Sequence, residues 1–165
     1  MDRAQLLIRL MERVQSTGHP YWKGRLAALP PGRIHAAILV EPYCSRILSG
    51  EKTMESRFSV KRVSPWHRIV PGDAVFLKRS GGDFVGIFEA GEVRFRQLRS
   101  ASDWLEIQGA FGEQLCVEDD FWERKRDSRY ATLIAISRLL VLEPFSIRFA
   151  NRQSWIDFGA PPGEP

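Results

Sequence analysis

The sequence predicts an α+β fold in which a small, mostly antiparallel β-barrel is flanked by helices and preceded by an extra N-terminal helix. The 165 residues suit one compact domain better than two. Short apolar runs bounded by turn signals alternate with segments of helical spacing. Gly86 and Gly91 interrupt a long β-rich segment and mark the bends that a sheet needs when it coils toward a barrel.

The chain begins with an amphipathic segment, residues 2–16. Its apolar residues recur at spacings of three and four and form one helical stripe: Leu6, Leu7, Leu10, Met11 and Val14. We expect this helix to pack across the main domain, and docking of a partner is the alternative. Residues 21–33 contain Pro30-Pro31-Gly32 and predict an irregular connector. The predicted division is therefore 1–31, a helix and connector packed on the main domain, and 32–165, the barrel domain.

Two strands and a short helix are predicted next. Residues 34–40 form a nearly continuous apolar run between proline signals, which favours a buried strand. Residues 42–49 begin with proline and are followed by Gly50, the asymmetry of a short helix. Residues 52–58 predict the second strand.

The second half of the chain predicts a hairpin, two helices, a long central strand and a tail that folds back through Trp155, Ile156 and Phe158. The second helix has its acids first and its bases last, which suits the helix dipole. The predicted ranges in chain order are 74–77 and 84–95 for the hairpin, 100–115 and 119–126 for the helices, and 130–144 for the strand.

The charge distribution favours an anionic partner. Lys and Arg number 24 against 20 Asp and Glu, a net charge of +4, and the sequence pI is about 9.4. The surplus is concentrated between Arg57 and Arg99, where nine basic residues stand against four acidic ones. The middle of the chain is therefore the predicted contact surface for a nucleic acid.

Several classes of protein are disfavoured. The two cysteines and three histidines have no metal-ligand spacing, so no metal or cofactor is predicted. Templates for serine hydrolases and for phosphate-cradling loops are missing. No apolar run reaches 18 residues, which argues against a membrane partner, and we expect a reduced, cytoplasmic protein.

The stretch SGEKTMESRF places polar and apolar residues in strict alternation. Because alternate residues of a strand share a face, Thr53, Glu55 and Arg57 lie on one side. Met54 and Phe58 lie on the other and are predicted core residues.

Two interpretations of this polar row remain open. In the first it is a solvated face, with a weak ion pair between Glu55 and Arg57. In the second it is a concave wall, in which Lys52 and Arg57 hold a phosphate or a base carbonyl and Glu55 accepts from an exocyclic amine.

Other candidate contacts lie in the basic middle of the chain. Lys78 and Arg79 near the hairpin tip are predicted to follow a nucleic-acid backbone, and Arg94 and Arg96 extend the basic surface. Trp66, in the loop after the motif, is the candidate for stacking on a base. A solubilising role is the alternative for the basic residues.

The chain from Ile34 to Pro144, about two thirds of its length, resembles the ASCH domain, a branch of the PUA-like barrel superfamily. The resemblance is carried by ILVEPYCSRILSGEKTMESR, PGDAVFLKRS, GIFEAGEV and YATLIAI. It implies a PUA-like barrel that handles nucleic acids or nucleotides, because PUA-like relatives bind RNA and some read modified bases. The predicted partner is accordingly RNA, another nucleic acid or a nucleotide-like small molecule.

Within the wider group, a small amidohydrolase removes acyl groups from N4-acylated cytidine with a lysine, a threonine and a glutamate. Lys52 matches that lysine, but Glu55 occupies the position of the threonine. Two hypotheses follow. The chain is an RNA-binding or modified-nucleotide-binding module with a basic groove beside the GEKTMESR strand. Alternatively, it is a ribonuclease or an amidohydrolase on modified cytidine nucleosides, with Lys52 and Glu55 as an acid–base pair.

Overall fold

The structure is a computed structural model that describes residues 1–149 and 153–160. Within those residues five α-helices surround one six-stranded sheet. The helices are α1 (Arg3–Ser16), α2 (Pro20–Ala28), α3 (Tyr43–Ser49), α4 (Ala101–Leu115) and α5 (Phe121–Lys125). The strands are β1 (Ile34–Leu39), β2 (Met54–Ser59), β3 (Ala74–Arg79), β4 (Phe84–Gln97), β5 (Tyr130–Phe145) and β6 (Trp155–Asp157).

The sheet has the strand order β2-β5-β4-β3-β1-β6. Strands β1 and β3 run parallel, whereas every other neighbouring pair of these strands is antiparallel. The prediction of a mostly antiparallel α+β fold is therefore confirmed, although the sheet is mixed.

The predicted barrel is only partly formed, because the sheet curls into a half-barrel that does not close. Strands β2 and β6 are its two edges and do not pair with each other in the described residues. Three register shifts along the β4 and β5 pair, between Phe84 and Val93, explain the curl, since each such irregularity bends a strand and increases its twist.

The helices α1 and α2 pack on the outer face of this sheet. Leu10 and Val14 of α1 and Trp22 of α2 are fully buried in one cluster with Phe76 and Phe84 of the hairpin strands. None of the described helices is both long enough and apolar enough to cross a membrane.

The prediction of an irregular connector over residues 21–33 is wrong for most of its length. Helix α2 begins at Pro20, and the ring of His19 accepts a hydrogen bond from the amide of Trp22 at 3.4 Å. Proline at the first helical position is a recognised start signal, because its fixed φ suits a helix and its missing N–H would have no partner there. Pro30-Pro31-Gly32 disrupts only the end of the segment.

The tail folds back, as predicted. Strand β6 pairs antiparallel with β1 and buries all three of its residues. The loop between β2 and β3 covers the inner face of the curl, where Ile69 is fully buried among residues of β1, β3 and β4.

Candidate functional site

Local signals place the polar motif at the edge of the half-barrel. Helix α3 ends at Ser49 and is capped by Gly50, whose φ of 84° lies in the left-handed region where a side chain would be strained. The amide of Lys52 then donates to the carbonyl of Arg46 at 2.9 Å, which turns the chain into β2. In the pairing of β2 with β5, Glu55 lies opposite Ile134 and Arg57 opposite Thr132.

The predicted alternation of β2 is confirmed. Met54 and Phe58 pack in a cluster with residues of α4 and α5, on the outer side of the strand. Glu55 and Arg57 point to the inner side of the curl. On that side Arg57 reaches across to Ser154, next to the opposite edge strand β6. Thr53 precedes the strand and is exposed, so the structure does not bring it together with Glu55 and Arg57.

Glu55 is the centre of a buried ion network. One carboxylate oxygen lies 3.0 Å from Nε of Arg57, and the other lies 3.8 Å from Nζ of Lys52. Glu55 and Lys52 are each only 3% exposed. The interpretation of this row as a solvated face is therefore wrong for both residues, since neither faces bulk water.

Lys52 is buried beside Glu55. Its Nζ donates to the carbonyl oxygen of Leu115 at 2.7 Å and lies 5.8 Å from the ring centre of Tyr43. Burial lowers the pKa of Lys52, while the negative charge of Glu55 opposes that shift. The same burial, followed by the charge of Glu55, raises the pKa of the Cys44 thiol to about 11.

Arg57 spans the open side of the half-barrel. Its Nη1 donates to the carbonyl oxygens of Ile38 at 3.3 Å and Ser154 at 3.0 Å, at the end of β1 and just before β6. Its guanidinium also lies 5.2 Å from the ring centre of Trp155, a cation–π distance. Burial lowers the pKa of Arg57 and the partnership with Glu55 raises it, but an arginine remains charged in this setting.

A cavity of about 210 Å³ opens beside Glu55 and Arg57, and we call it the Glu55 cavity. It lies between the end of β1, the start of α3, β2 and α5. Four charged side chains line it: Glu55, Arg57, Arg124 and Lys125. The rings of Tyr43, Phe58 and Phe121 form its apolar walls. Lys52 does not line it.

The α5 residues Arg124 and Lys125 were not predicted as site residues. Nη2 of Arg124 donates to the hydroxyl of Tyr43 at 3.2 Å, and its Nε pairs with Asp120 at 3.1 Å. Burial, followed by the charges of Arg57 and Arg124, lowers the pKa of Lys125. The only signal for them in the sequence is the run of basic residues at the end of DDFWERKR. That run is equally well explained by the preference of cations for the C-terminal end of a helix.

A larger groove of about 820 Å³ adjoins the cavity, and we call it the Lys78 groove. It is lined by Lys78 and the Ser80–Gly82 turn of the hairpin and by Arg148 after β5. The cavity and the groove share three lining residues, which are Ile38, Val40 and Ser154.

The remaining predicted contacts are scattered. Arg79 forms an ion pair with Glu41 and is thereby largely neutralised. Arg94 pairs with Glu92 at 2.6 Å. Arg96 approaches Glu106 of α4 at 3.6 Å, on the outer side of the sheet, so Arg94 and Arg96 do not join the Glu55 cavity.

Trp66 is part of an aromatic cluster. Its half-buried ring lies 4.9 Å from that of Tyr130 and 5.4 Å from that of Phe95, measured between ring centres. Most of the indole surface is thus occupied by protein contacts.

Within residues 1–149 and 153–160, no group of three or more His, Cys, Asp or Glu side chains is arranged to hold a metal ion. The chemistry available at the Glu55 cavity is that of fixed cations, one carboxylate and aromatic walls.

Comparison with known proteins identifies the fold. No protein-family model matches the sequence, and no curated protein does either. The crystal structure of ASCH from Zymomonas mobilis superposes with a TM-score of 0.61 at 12% identity, covering 76% of this chain and 87% of that one. The chain has the ASCH fold.

Two variants of the same bacterial protein give similar values. The ASCH structure with a Ser-to-Ala substitution has a TM-score of 0.62 at 12% identity, over 78% of this chain and 89% of that one. The one with a Tyr-to-Phe substitution has a TM-score of 0.60 at 13% identity, over 75% and 88%. The resemblance drawn from the sequence is therefore confirmed at the level of the ASCH fold.

Proposed function

We propose that this chain is a nucleic-acid-binding module that takes RNA, or a modified nucleotide, into the Glu55 cavity. The observation that carries the proposal is the composition of that cavity, in which Arg57, Arg124 and Lys125 stand against the single carboxylate of Glu55. A surplus of fixed cations beside aromatic walls suits a ligand that is both anionic and aromatic.

Different cavity residues suit the phosphate and the base of a nucleotide. The ammonium of Lys125 forms no hydrogen bond or ion pair with any described residue, so it is available to a phosphate oxygen. Burial lowers its pKa, and a bound phosphate would reverse that shift by adding a nearby negative charge. Each oxygen of Glu55 keeps acceptor capacity beyond its contacts with Lys52 and Arg57, and can accept from an exocyclic amine.

A titration tests the proposal. Mixed-sequence single-stranded RNA and structured RNA are titrated into the protein at about 50 and 200 mM salt, the range over which phosphate-driven affinity falls steeply. Lys125→Gln should weaken binding and reduce the slope of log K against log salt by about 0.7, the value for one phosphate contact on a single strand.

Lys23→Gln is the matched control, because Lys23 is exposed on α2 and does not line the cavity. It removes the same charge and should leave the affinity unchanged. Absence of binding at low salt by the wild-type protein would contradict the proposal.

A second candidate function is catalysis in the same cavity, either RNA cleavage or hydrolysis of an acylated cytidine. It is favoured by the buried Lys52, whose lowered pKa makes a neutral amine more accessible 3.8 Å from the carboxylate of Glu55. Because Lys52 lies behind Glu55 and bonds to Leu115, Glu55 is the member of the pair that reaches the cavity.

Incubation with RNA and with N4-acylated cytidine tests this alternative, alongside Lys52→Ala and Glu55→Gln. Product that disappears in both variants, while circular dichroism shows each variant to be folded at the assay temperature, supports catalysis. Product that is unchanged in both, or missing from the wild type, rejects it.

A further inference from the structure

We infer that the ligand is a single strand rather than a free nucleotide, with one nucleotide in the Glu55 cavity and its neighbours along the Lys78 groove. The inference rests on the proposed function and specifies its ligand. It follows from the way in which the cavity and the groove meet.

The two spaces meet at shared residues. Ile38, Val40 and Ser154 line both the cavity and the groove. A strand that enters the cavity beside β2 and crosses these residues at the end of β1 would reach the hairpin turn at Ser80–Gly82. The amide of Ser80 donates to the carbonyl of Leu39 at 2.7 Å, which fixes that turn against β1.

Size favours more than one nucleotide. The cavity, at about 210 Å³, lies below the ~300–1,000 Å³ typical of sites for drug-sized ligands. The groove, at about 820 Å³, is four times as large. A ligand confined to the cavity would leave the larger space unused.

The charge of the groove suits a polyanion. Among its described lining residues are Lys78 and Arg148 but no Asp or Glu. Nζ of Lys78 donates to the carbonyls of Gly82 at 2.6 Å and Arg79 at 3.2 Å, which leaves its third N–H for a phosphate. Arg148 is exposed and has no hydrogen bond or ion pair with another described residue.

An apolar ridge marks the point where the strand would cross. Val40 is 54% exposed, one of the few large apolar side chains on the described surface, and it stands between the two spaces. Apolar contact with a base or ribose at this point would remove that surface from water.

The test compares ligands of different length. The four nucleoside 5′-monophosphates and a mixed-sequence RNA tetranucleotide are titrated into the full chain by calorimetry at low salt, with a DNA tetranucleotide as a parallel arm. The tetranucleotide should bind at least about tenfold more tightly than any mononucleotide, with a steeper salt dependence that reflects its additional phosphate contacts.

The variant Arg148→Glu should remove most of that advantage, because Arg148 lines the groove and not the cavity. Arg9→Glu is the matched control, since Arg9 is exposed on α1 and does not line the groove. Lys125→Gln should weaken the binding of both the mononucleotides and the tetranucleotide, because both ligands occupy the cavity.

The outcomes separate the inference from the proposed function. Equal affinity for mononucleotide and tetranucleotide, or no effect of Arg148→Glu on the tetranucleotide, overturns the strand inference while the nucleotide-binding function stands. Failure of every ligand to bind overturns the proposed function, and the inference with it. If only the DNA tetranucleotide binds more tightly than the mononucleotides, the groove is supported as a binding site for a single strand, but RNA is contradicted as the partner.

Discussion

Arg57, on the edge strand β2, donates a hydrogen bond at 3.0 Å to the carbonyl oxygen of Ser154, immediately before the opposite edge strand β6. A side chain therefore joins the two edges that would have to pair in a closed barrel. The same guanidinium contacts Glu55, so the link across the sheet is also part of the candidate site.

Replacing Arg57 with lysine should loosen β6. A lysine is a compact point charge and cannot contact Glu55, Ile38 and Ser154 together as the planar guanidinium does. We expect faster amide hydrogen exchange at Ile38, whose N–H donates to Ser154 at 2.9 Å, and through β6.

Arg94→Lys is the control for that experiment, because Arg94 pairs with Glu92 on the outer side of the sheet. Equal exchange at Ile38 in wild type and Arg57→Lys would contradict the bridging role of Arg57.

Removing the carboxylate charge of Glu55 should destabilise the protein strongly. Glu55→Gln leaves the buried Lys52 and Arg57 without their counter-charge, and the loss of one partner of a buried ion pair typically costs about 3–5 kcal/mol. The free energy of unfolding in urea measures the effect, and Glu113→Gln, an exposed change on α4, is the control.

A double-mutant cycle then tests the coupling. Lys52→Met combined with Glu55→Gln should be less destabilised than the sum of the single variants, because the ammonium of Lys52 is then no longer buried without the carboxylate of Glu55. Additive single effects would show that Lys52 and Glu55 do not interact energetically.

Asp73 should contribute to the loss of folding stability at acidic pH. Burial raises the pKa of Asp73, but hydrogen bonds from His35, at 3.1 Å, from Arg33 and from the amide of Val70 outweigh it and hold that pKa below its usual value. The folded state therefore holds this proton less tightly than the unfolded state. The resulting stabilisation is present above about pH 4 and is lost as pH falls through the lower pKa of the folded state.

We expect Asp73→Asn to reduce the free energy of unfolding most at neutral pH, with the difference from wild type shrinking below about pH 4. Urea unfolding from pH 7 down to pH 2.5 follows it, with the exposed Asp127→Asn as control. A difference that is constant with pH would show that the charge of Asp73 does not matter.

Trp66 should contribute more to stability than to ligand binding. Trp66→Ala removes ring contacts with Tyr130 and Phe95, and because the indole is half-buried we expect a loss of about 2 kcal/mol, below the ~3–5 of a fully buried aromatic residue. Trp66→Phe should recover most of it. A large loss of RNA affinity in a fully folded Trp66→Phe variant would instead support stacking on a base.

Local patterns in the sequence predicted most of the secondary structure and the two faces of β2. Alternation separated Met54 and Phe58 from Glu55 and Arg57, because a strand has a period of two whatever surrounds it. Helix α2 was missed, since the start signal at Pro20 was outweighed by the Pro-Pro-Gly signal that follows.

The features that the sequence did not predict depend on contacts between residues that are distant in the chain. The cations of α5 reach the cavity only because Phe121 packs against Phe58 and Tyr43, at ring-centre distances of 5.5 and 5.9 Å. No pattern within DDFWERKR specifies that docking. The incomplete closure of the barrel likewise depends on where β6 ends relative to β2, which periodicity does not encode.

The acceptors of Arg57 are main-chain carbonyl oxygens, and every residue type carries one. Substitutions at positions 38 and 154 can therefore accumulate without removing the link, whereas any change at position 57 removes it. Two proteins can therefore share this link between the sheet edges although their sequences differ at almost every other position. In an alignment of their sequences, only the arginine would be conserved because of the link.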